Sequence, residues 1–162
     1  MPIGPPLTHP GEDNDYQNVF VARAVESFAR VTGRDLVQET GLDRTQLGRG
    51  AWFGDFALLT HRGDERAMLN YANAFALRLW ECNWDALVSS PSAATAPEGD
   101  HESRDHLLEK VGRDNFVSGY SGRRMSFKGR LFLIQDVTVW RLLDAAGTPF
   151  GVGAFFRQYR YL

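Results

Sequence analysis

Asn70-Tyr71-Ala72-Asn73-Ala74-Phe75-Ala76-Leu77-Arg78-Leu79-Trp80-Glu81 reads as a short strand that runs directly into a helix. Two asparagines, residues suited to caps and turns, stand at the junction, and aromatic bulk follows on the helix. A β-hairpin arm lies upstream of this unit and three strands lie downstream. The order describes a small sheet with helices on one face, an arrangement that tends to hold a pocket between the two layers.

The flanking segments support that reading. Residues 1–15 are rich in Pro, Gly and acid and read as a flexible N-terminal tail, leaving 16–162 as one domain. Residues 16–32 form an amphipathic helix with Phe20, Ala24, Phe28 and Val31 in one stripe, widened by Val21 and Val25. Gly33 is its stop. Thr40 to Gly50, with Gly41, Gly48 and Gly50, reads as a loop with at most one helical turn. Trp52 to His61 reads as a strand with two apolar faces, and Ala67 to Tyr71 as its hairpin partner. Asn73 to Cys82 is a helix with Phe75, Leu79 and Trp80 inward. Asn83 to Leu87 opens a further short helix. Ser89 to Gly99 reads as a flexible loop, and His101 to Arg113 as a helix with Leu107, Leu108 and Val111 as its inner stripe. Phe116–Phe127, Arg130–Leu143 and Pro149–Tyr159 follow as an antiparallel meander with tight turns.

Composition bounds the function classes. The 162 residues suit one domain, and 43% hydrophobic with 23% charged residues is ordinary for a globular chain. A net charge of −2 and a pI of about 6.1 give no concentrated basic face, so no direct nucleic-acid binding is expected. No apolar run is long enough to cross a membrane and the N-terminus lacks signal-peptide regions. Cys82 is the single cysteine, so no internal disulfide forms and the expected location is cytoplasmic.

The element order matches the PAS fold: two strands, a run of short helices, then three strands. Several stretches narrow it. Thr32-Gly33-Arg34-Asp35-Leu36 ends the first helix. Asn70-Tyr71-Ala72-Asn73 and Leu79-Trp80-Glu81 surround the central one. Tyr120-Ser121-Gly122 and Arg130 begin the C-terminal strands, and Thr138-Val139-Trp140-Arg141-Leu142-Leu143-Asp144 closes the long strand. Together, over roughly 17–162, they resemble the MEKHLA domain. That PAS-related domain ends class III homeodomain–leucine zipper proteins of plants and also occurs as stand-alone bacterial proteins, the type this chain is similar to. The resemblance implies an α+β fold: a PAS-like five-stranded antiparallel sheet with short helices on one face and an N-terminal amphipathic helix. It also implies a sensory or regulatory module whose ligand the family does not define. With neither homeodomain nor zipper heptads in the sequence, the plant proteins' DNA-binding role does not carry over.

The candidate ligand-binding residues are Tyr71, Asn73, Trp80, Tyr120, Arg123, Asp136 and Trp140. Trp and Tyr pair a large apolar face with one donor, which suits a flat organic ligand; the same residues are more often core with satisfied tips. Asp136, and Gln135 beside it, are polar among apolar neighbours, and a bulge or a structural bond competes with a ligand contact. In strict alternation Phe132, Ile134, Asp136, Thr138 and Trp140 share one face of the long strand. Arg123 and Arg124 either grip an anion or lie solvated; if one enters the pocket, an anionic ligand leads. Gly151 and Gly153 permit close approach of a helix or a ligand.

His106, with His101 five residues before it, sits where haem-binding PAS sensors carry an axial ligand, although a lone His is usually a surface residue. His61 beside a charged turn reads as structural. No His/Cys/Asp/Glu spacing supports a metal site. The context of Cys82 does not match the Gly-x-Asn-Cys-Arg-Phe-Leu-Gln of flavin photosensors, so an inert thiol is expected and no cofactor is identified. The leading expectation is a sensory module that binds a small organic ligand, as a homodimer. A small enzyme using the same pocket would need a perturbed titratable group there, Asp136, His106 or Tyr120. A ligand-free interaction domain would have a filled core.

Overall fold

The computed structural model describes residues 7–162. Three helices come first: α1 (Asn18–Thr32), α2 (Leu36–Thr40) and α3 (Leu47–Trp52). The hairpin β1 (Ala57–His61) and β2 (Leu69–Ala72) leads into α4 (Ala74–Leu79), α5 (Trp84–Val88) and α6 (His101–Asp114). Strands β3 (Phe116–Met125), β4 (Leu131–Leu143), β5 (Pro149–Phe156) and β6 (Gln158–Tyr161) complete an antiparallel sheet in the order β2-β1-β5-β4-β3, with β6 also paired to β4. Thr138 pairs with Phe155 and Gln135 with Gln158, so β5 and β6 keep one register along β4. They are two halves of the single last strand expected from sequence, parted at Arg157 opposite Asp136. Six strands thus fill five positions.

Asp136 decides what each side of β4 faces. Its φ of 52° is left-handed, a conformation that Asp tolerates better than most residues. The pairing of β4 with β3 shifts on either side of Tyr120, opposite this bulge. The left-handed residue inverts the alternation while the register on either side is kept. Ile134, Val137 and Val139 therefore share the inner face. Thr138 and Trp140 turn to the α1 side, where Thr138 Oγ1 accepts from Arg34 Nη1, just past the end of α1, at 2.9 Å and the Trp140 ring lies 5.0 Å edge-on to Phe28 of α1. The expected common face of Phe132, Ile134, Asp136, Thr138 and Trp140 does not exist, and Asp136 itself is exposed.

The stripe of α1 buries Val21, Ala24, Val25 and Phe28 on the outer face of the sheet, with Phe20 and Val31 half-buried at its margins. Ser27 joins them: its Oγ donates to the Arg141 carbonyl (3.0 Å) and accepts from Leu143 N–H (2.8 Å), pinning helix to strand. Gly33, at φ 72°, stops the helix as expected, its N–H donating to the Ala29 carbonyl.

Two elements depart from the sequence reading. The glycine-rich stretch before residue 52 is helical as α3, and strand β1 starts only at Ala57. The glycines serve proximity: a Cβ on Gly48 would sit 2.7 Å from Asn18 Cα and from the Tyr16 carbonyl oxygen, so α3 crosses the start of α1 at backbone contact. Of the expected tail, residues 1–6 lie outside the described residues, and residues 7–15 touch the helices at a few points, with Thr8, His9, Glu12, Asp13 and Asp15 exposed. Gln17 and Asn14 donate to Thr8, and the His9 ring sits 5.1 Å from Trp52 and 5.8 Å from Trp84.

Candidate functional site

Between the inner face of the sheet and the helices lies a cavity of about 60 Å³. Leu59 and His61 of β1, Val137 and Val139 of β4, and Ala154 and Phe156 of β5 form its floor. Trp80, Thr95, Arg104 and Leu107 form its roof, and Tyr120 and Arg124 of β3 close one side. The Trp80 indole packs edge-on to Phe132 at 5.1 Å and donates its Nε1–H to the Thr95 carbonyl at 3.1 Å. That bond ties the Ser89–Gly99 segment down over the cavity, as do the Met68–Pro91 bridge and the bond from Ser92 N–H to the Ala67 carbonyl. The segment is anchored rather than free-standing.

Few polar groups reach this space, and they are poorly served. His61 Nδ1 donates to the Arg62 carbonyl at 2.8 Å, since a carbonyl can only accept; Nε2 is then a bare acceptor, buried and without a partner. Arg124 is 7% exposed. Its Nη1 donates to the Arg123 carbonyl (2.7 Å), and both Nη1 and Nη2 lie 3.4 Å from Tyr120 Oη. Among the described residues no carboxylate lies within 4 Å of it. Gly122 makes this meeting possible: a Cβ there would run into Tyr120 Oη and come within 3.0 Å of Arg124 Nη1. Arg104, 8% exposed, reaches only the solvent-facing Asp105, at 3.4 Å. Burial pulls its guanidinium below the ordinary value, Asp105 opposes this, and the neighbouring Arg124 charge adds to it.

The structure separates the seven candidate residues. Trp80 and Tyr120 line the cavity. Arg123 points away and pairs with Asp100 at 2.8 and 3.0 Å. Asp136 forms the exposed bulge. Tyr71 and Trp140 lie on the outer side: Tyr71 packs 5.7 Å from Phe20 and 6.0 Å from Trp84, its buried hydroxyl held by desolvation well above the phenol range. Asn73 is fully buried with every bond made inside the fold. Its Oδ1 accepts from Leu58 N–H and Ala76 N–H (both 3.1 Å), and its Nδ2 donates to the carbonyls of Ala51 (2.9 Å) and Phe56 (2.7 Å). At Gly151 and Gly153 the missing Cβ atoms leave room for the His61 carbonyl and for the Trp140 ring, while Gly153 also borders the cavity.

Sequence reasoning did not single out Arg104, read His61 as structural, and weighed Arg124 without selecting it. A signal existed for the first: Arg104 stands three, four and seven residues before Leu107, Leu108 and Val111, on the same helical stripe.

The family model for the MEKHLA domain matches residues 19–161. The chain belongs to the MEKHLA domain family. Its fold is also that of solved PAS domains. One from a Colwellia psychrerythraea protein superposes with a TM-score of 0.62 at 13% identity, over 73% of this chain and 95% of that one. An RNA-binding light-oxygen-voltage receptor gives 0.61 at 18% identity, over 72% of this chain and 33% of the receptor. The PAS domain of a LuxR-family transcriptional regulator from Burkholderia thailandensis, solved in complex with ethanol, gives 0.53 at 17% identity, over 70% and 96%. No curated protein matches the sequence. This MEKHLA domain thus has a PAS-like fold.

Two residues weighed for cofactor chemistry sit apart from the cavity of this MEKHLA domain. His106 is 71% exposed and meets only Glu109, at 3.9 Å. Cys82 is half-buried beyond α4, and desolvation pushes its thiol up to about 11, which leaves little thiolate at neutral pH. Among the described residues no helix is long and apolar enough to cross a membrane and no three His, Cys, Asp or Glu cluster as a metal site.

His61 gives the MEKHLA domain a pH signature. Desolvation holds its imidazole below the ordinary value of 6.5, with a contribution from Arg104; the Arg62 carbonyl and Asp64 act the other way. The unfolded chain takes up a proton near 6.5, whereas the native state resists until the pH is lower. Stability is therefore full above this value and falls as pH drops through it toward the depressed native value. Urea denaturation from pH 8 to pH 5 should show that loss in the wild type and a flatter profile in His61→Gln. Parallel profiles would contradict a neutral buried His61.

Proposed function

We propose that this MEKHLA domain is a PAS-like sensory module that binds a small organic ligand in the cavity between sheet and helices, as a homodimer in the cytoplasm. One observation carries the reading. A largely apolar cavity receives a buried His61 Nε2 that nothing in the fold bonds, and a buried Arg124 guanidinium that meets a carbonyl and a phenol but no carboxylate, and buried polar groups are costly unless satisfied. The ethanol complex of the Burkholderia PAS domain supports small-molecule occupancy of such a fold. The sheet supplies a route outward. Val137 and Val139 touch the cavity, while the intervening Thr138 and the following Trp140 hold α1, so pressure on the inner face is felt by the N-terminal helix. Val19 and Phe53, 78% and 61% exposed, offer the apolar surface on the helical side where a second copy would pack.

A thermal screen of small organic compounds against the wild type and the cavity-filling variant Val139→Phe tests this. At about a hundredfold excess over Kd a ligand should raise the wild-type midpoint by roughly 5–10 °C. The variant should not respond. A panel without hits, or equal shifts in both proteins, would reject the cavity. Light scattering should give twice the 18.2 kDa chain mass, and a monomer mass would reject the dimer.

A further inference from the structure

The polar groups at this cavity make two opposite demands. Arg104 and Arg124 can only donate, and both are buried without a well-placed acid. Two like charges held together out of water favour an anion between them. Tyr120 Oη, 3.4 Å from two nitrogens of Arg124, adds a hydroxyl proton on the same side. His61 lies on β1, across the sheet from β3, and makes the other demand. Its Nδ1–H is committed to the Arg62 carbonyl, so Nε2 can only accept, and nothing in the protein donates to it. Beside these groups the lining includes the aliphatic Leu59, Val137, Val139 and Ala154.

We infer that the cavity takes a short hydroxycarboxylate, its carboxylate at the Arg104–Arg124 end, its hydroxyl donating to His61 Nε2 and its carbon skeleton against Leu59, Val137 and Val139. The inference rests on the proposed reading of the cavity as a ligand site. Size agrees: a water-sized group needs on the order of 10–15 Å³, so the space suits about four to six such groups, the scale of lactate, with 3-hydroxybutyrate about one group larger. A planar carboxylate matches the guanidinium fork with two oxygens, whereas a phosphate would bring further charged oxygens against aliphatic walls.

Calorimetric titration of the purified protein with lactate and 3-hydroxybutyrate, their deoxy acids propionate and butyrate, and the amides lactamide and 3-hydroxybutyramide tests each element. At least one hydroxy acid should bind at least tenfold tighter than its deoxy acid and its amide. Arg124→Gln should lose at least tenfold in affinity for it, while Arg123→Gln, whose side chain serves Asp100, should bind as the wild type does. Equal binding of acid and amide would overturn the anion, and equal binding of hydroxy and deoxy acid the hydroxyl, each leaving the ligand site in place. If none of the six binds while the Val139→Phe screen yields a cavity ligand of another class, the inference falls and the proposed function stands. If both experiments are blank, both fall. The comparison among the six compounds uses the wild type alone, so a variant that fails to fold does not obscure it.

Discussion

Replacing Asn73 by alanine is expected to destabilise the domain by about 4 kcal/mol, seen as a thermal midpoint lower by roughly 8–16 °C. The side chain caps α4 by accepting from Ala76 N–H, and such caps contribute ~1 kcal/mol. It also accepts from Leu58 N–H and donates to the carbonyls of Ala51 and Phe56, all in the interior. Each buried group stripped of its partner costs about 1–3 kcal/mol, so these three exceed the cap. Asn73 fastens β1, the end of α3 and the start of α4 at one point, and the inner layer is placed relative to the sheet through it. Asn73→Ser keeps an acceptor for the cap and should recover only part of the loss. Urea denaturation checks both, and a loss below about 1 kcal/mol in Asn73→Ala would contradict the bracket role.

Trp140→Ala is expected to lose about 3–5 kcal/mol, as truncations of buried tryptophan do. The ring is fully buried, edge-on to Phe28 of α1, and lies over Gly153, where a Cβ would approach Cη2 to 3.0 Å. Gly153→Ala should therefore cost about 1–3 kcal/mol by overpacking. Trp140→Phe should cost less than Trp140→Ala, because the lost indole N–H has no partner in the fold and most of the ring contact survives. Together the three variants decide whether α1 is held by this contact. Equal stability of Trp140→Ala and wild type would show that it is not.

Much of the architecture was legible because local chemistry and tertiary role agree. Asn73 and Asn83 are N-caps, Gly33 is a stop, and the stripe of α1 faces the sheet, each as its residue type dictates. What escaped had a non-local cause. Gly48 and Gly50 read as loop residues, yet they lie in a helix, and Gly48 is small because α3 touches the backbone at the start of α1. Asp136, polar among apolar neighbours, reads as a bulge or a structural bond, but no feature of its neighbours says that the alternation inverts there. That single bulge put Trp140 on the far side of the sheet from Phe132 and Ile134, with which strict alternation had grouped it. Tyr71 and Asn73 look like pocket residues for the same reason that they are buried: aromatic bulk and a polar tip serve a core as readily as a ligand. Arg124 and Arg123 are adjacent in a strand, so one enters and one leaves, and the choice depends on a register that only the paired strand fixes.

The inner cavity is the proposed ligand site. The four tryptophan indole N–H resonances report on it from different positions in the fold. Trp80 roofs the cavity, Trp140 packs on the opposite side of the sheet, and Trp52 and Trp84 cluster with His9. In a titration of ¹⁵N-labelled protein with 3-hydroxybutyrate, the Trp80 resonance should move most and saturate, Trp140 should follow weakly, and Trp52 and Trp84 should stay still. Four unmoved resonances, or movement of Trp52 and Trp84 with Trp80 unchanged, would contradict it.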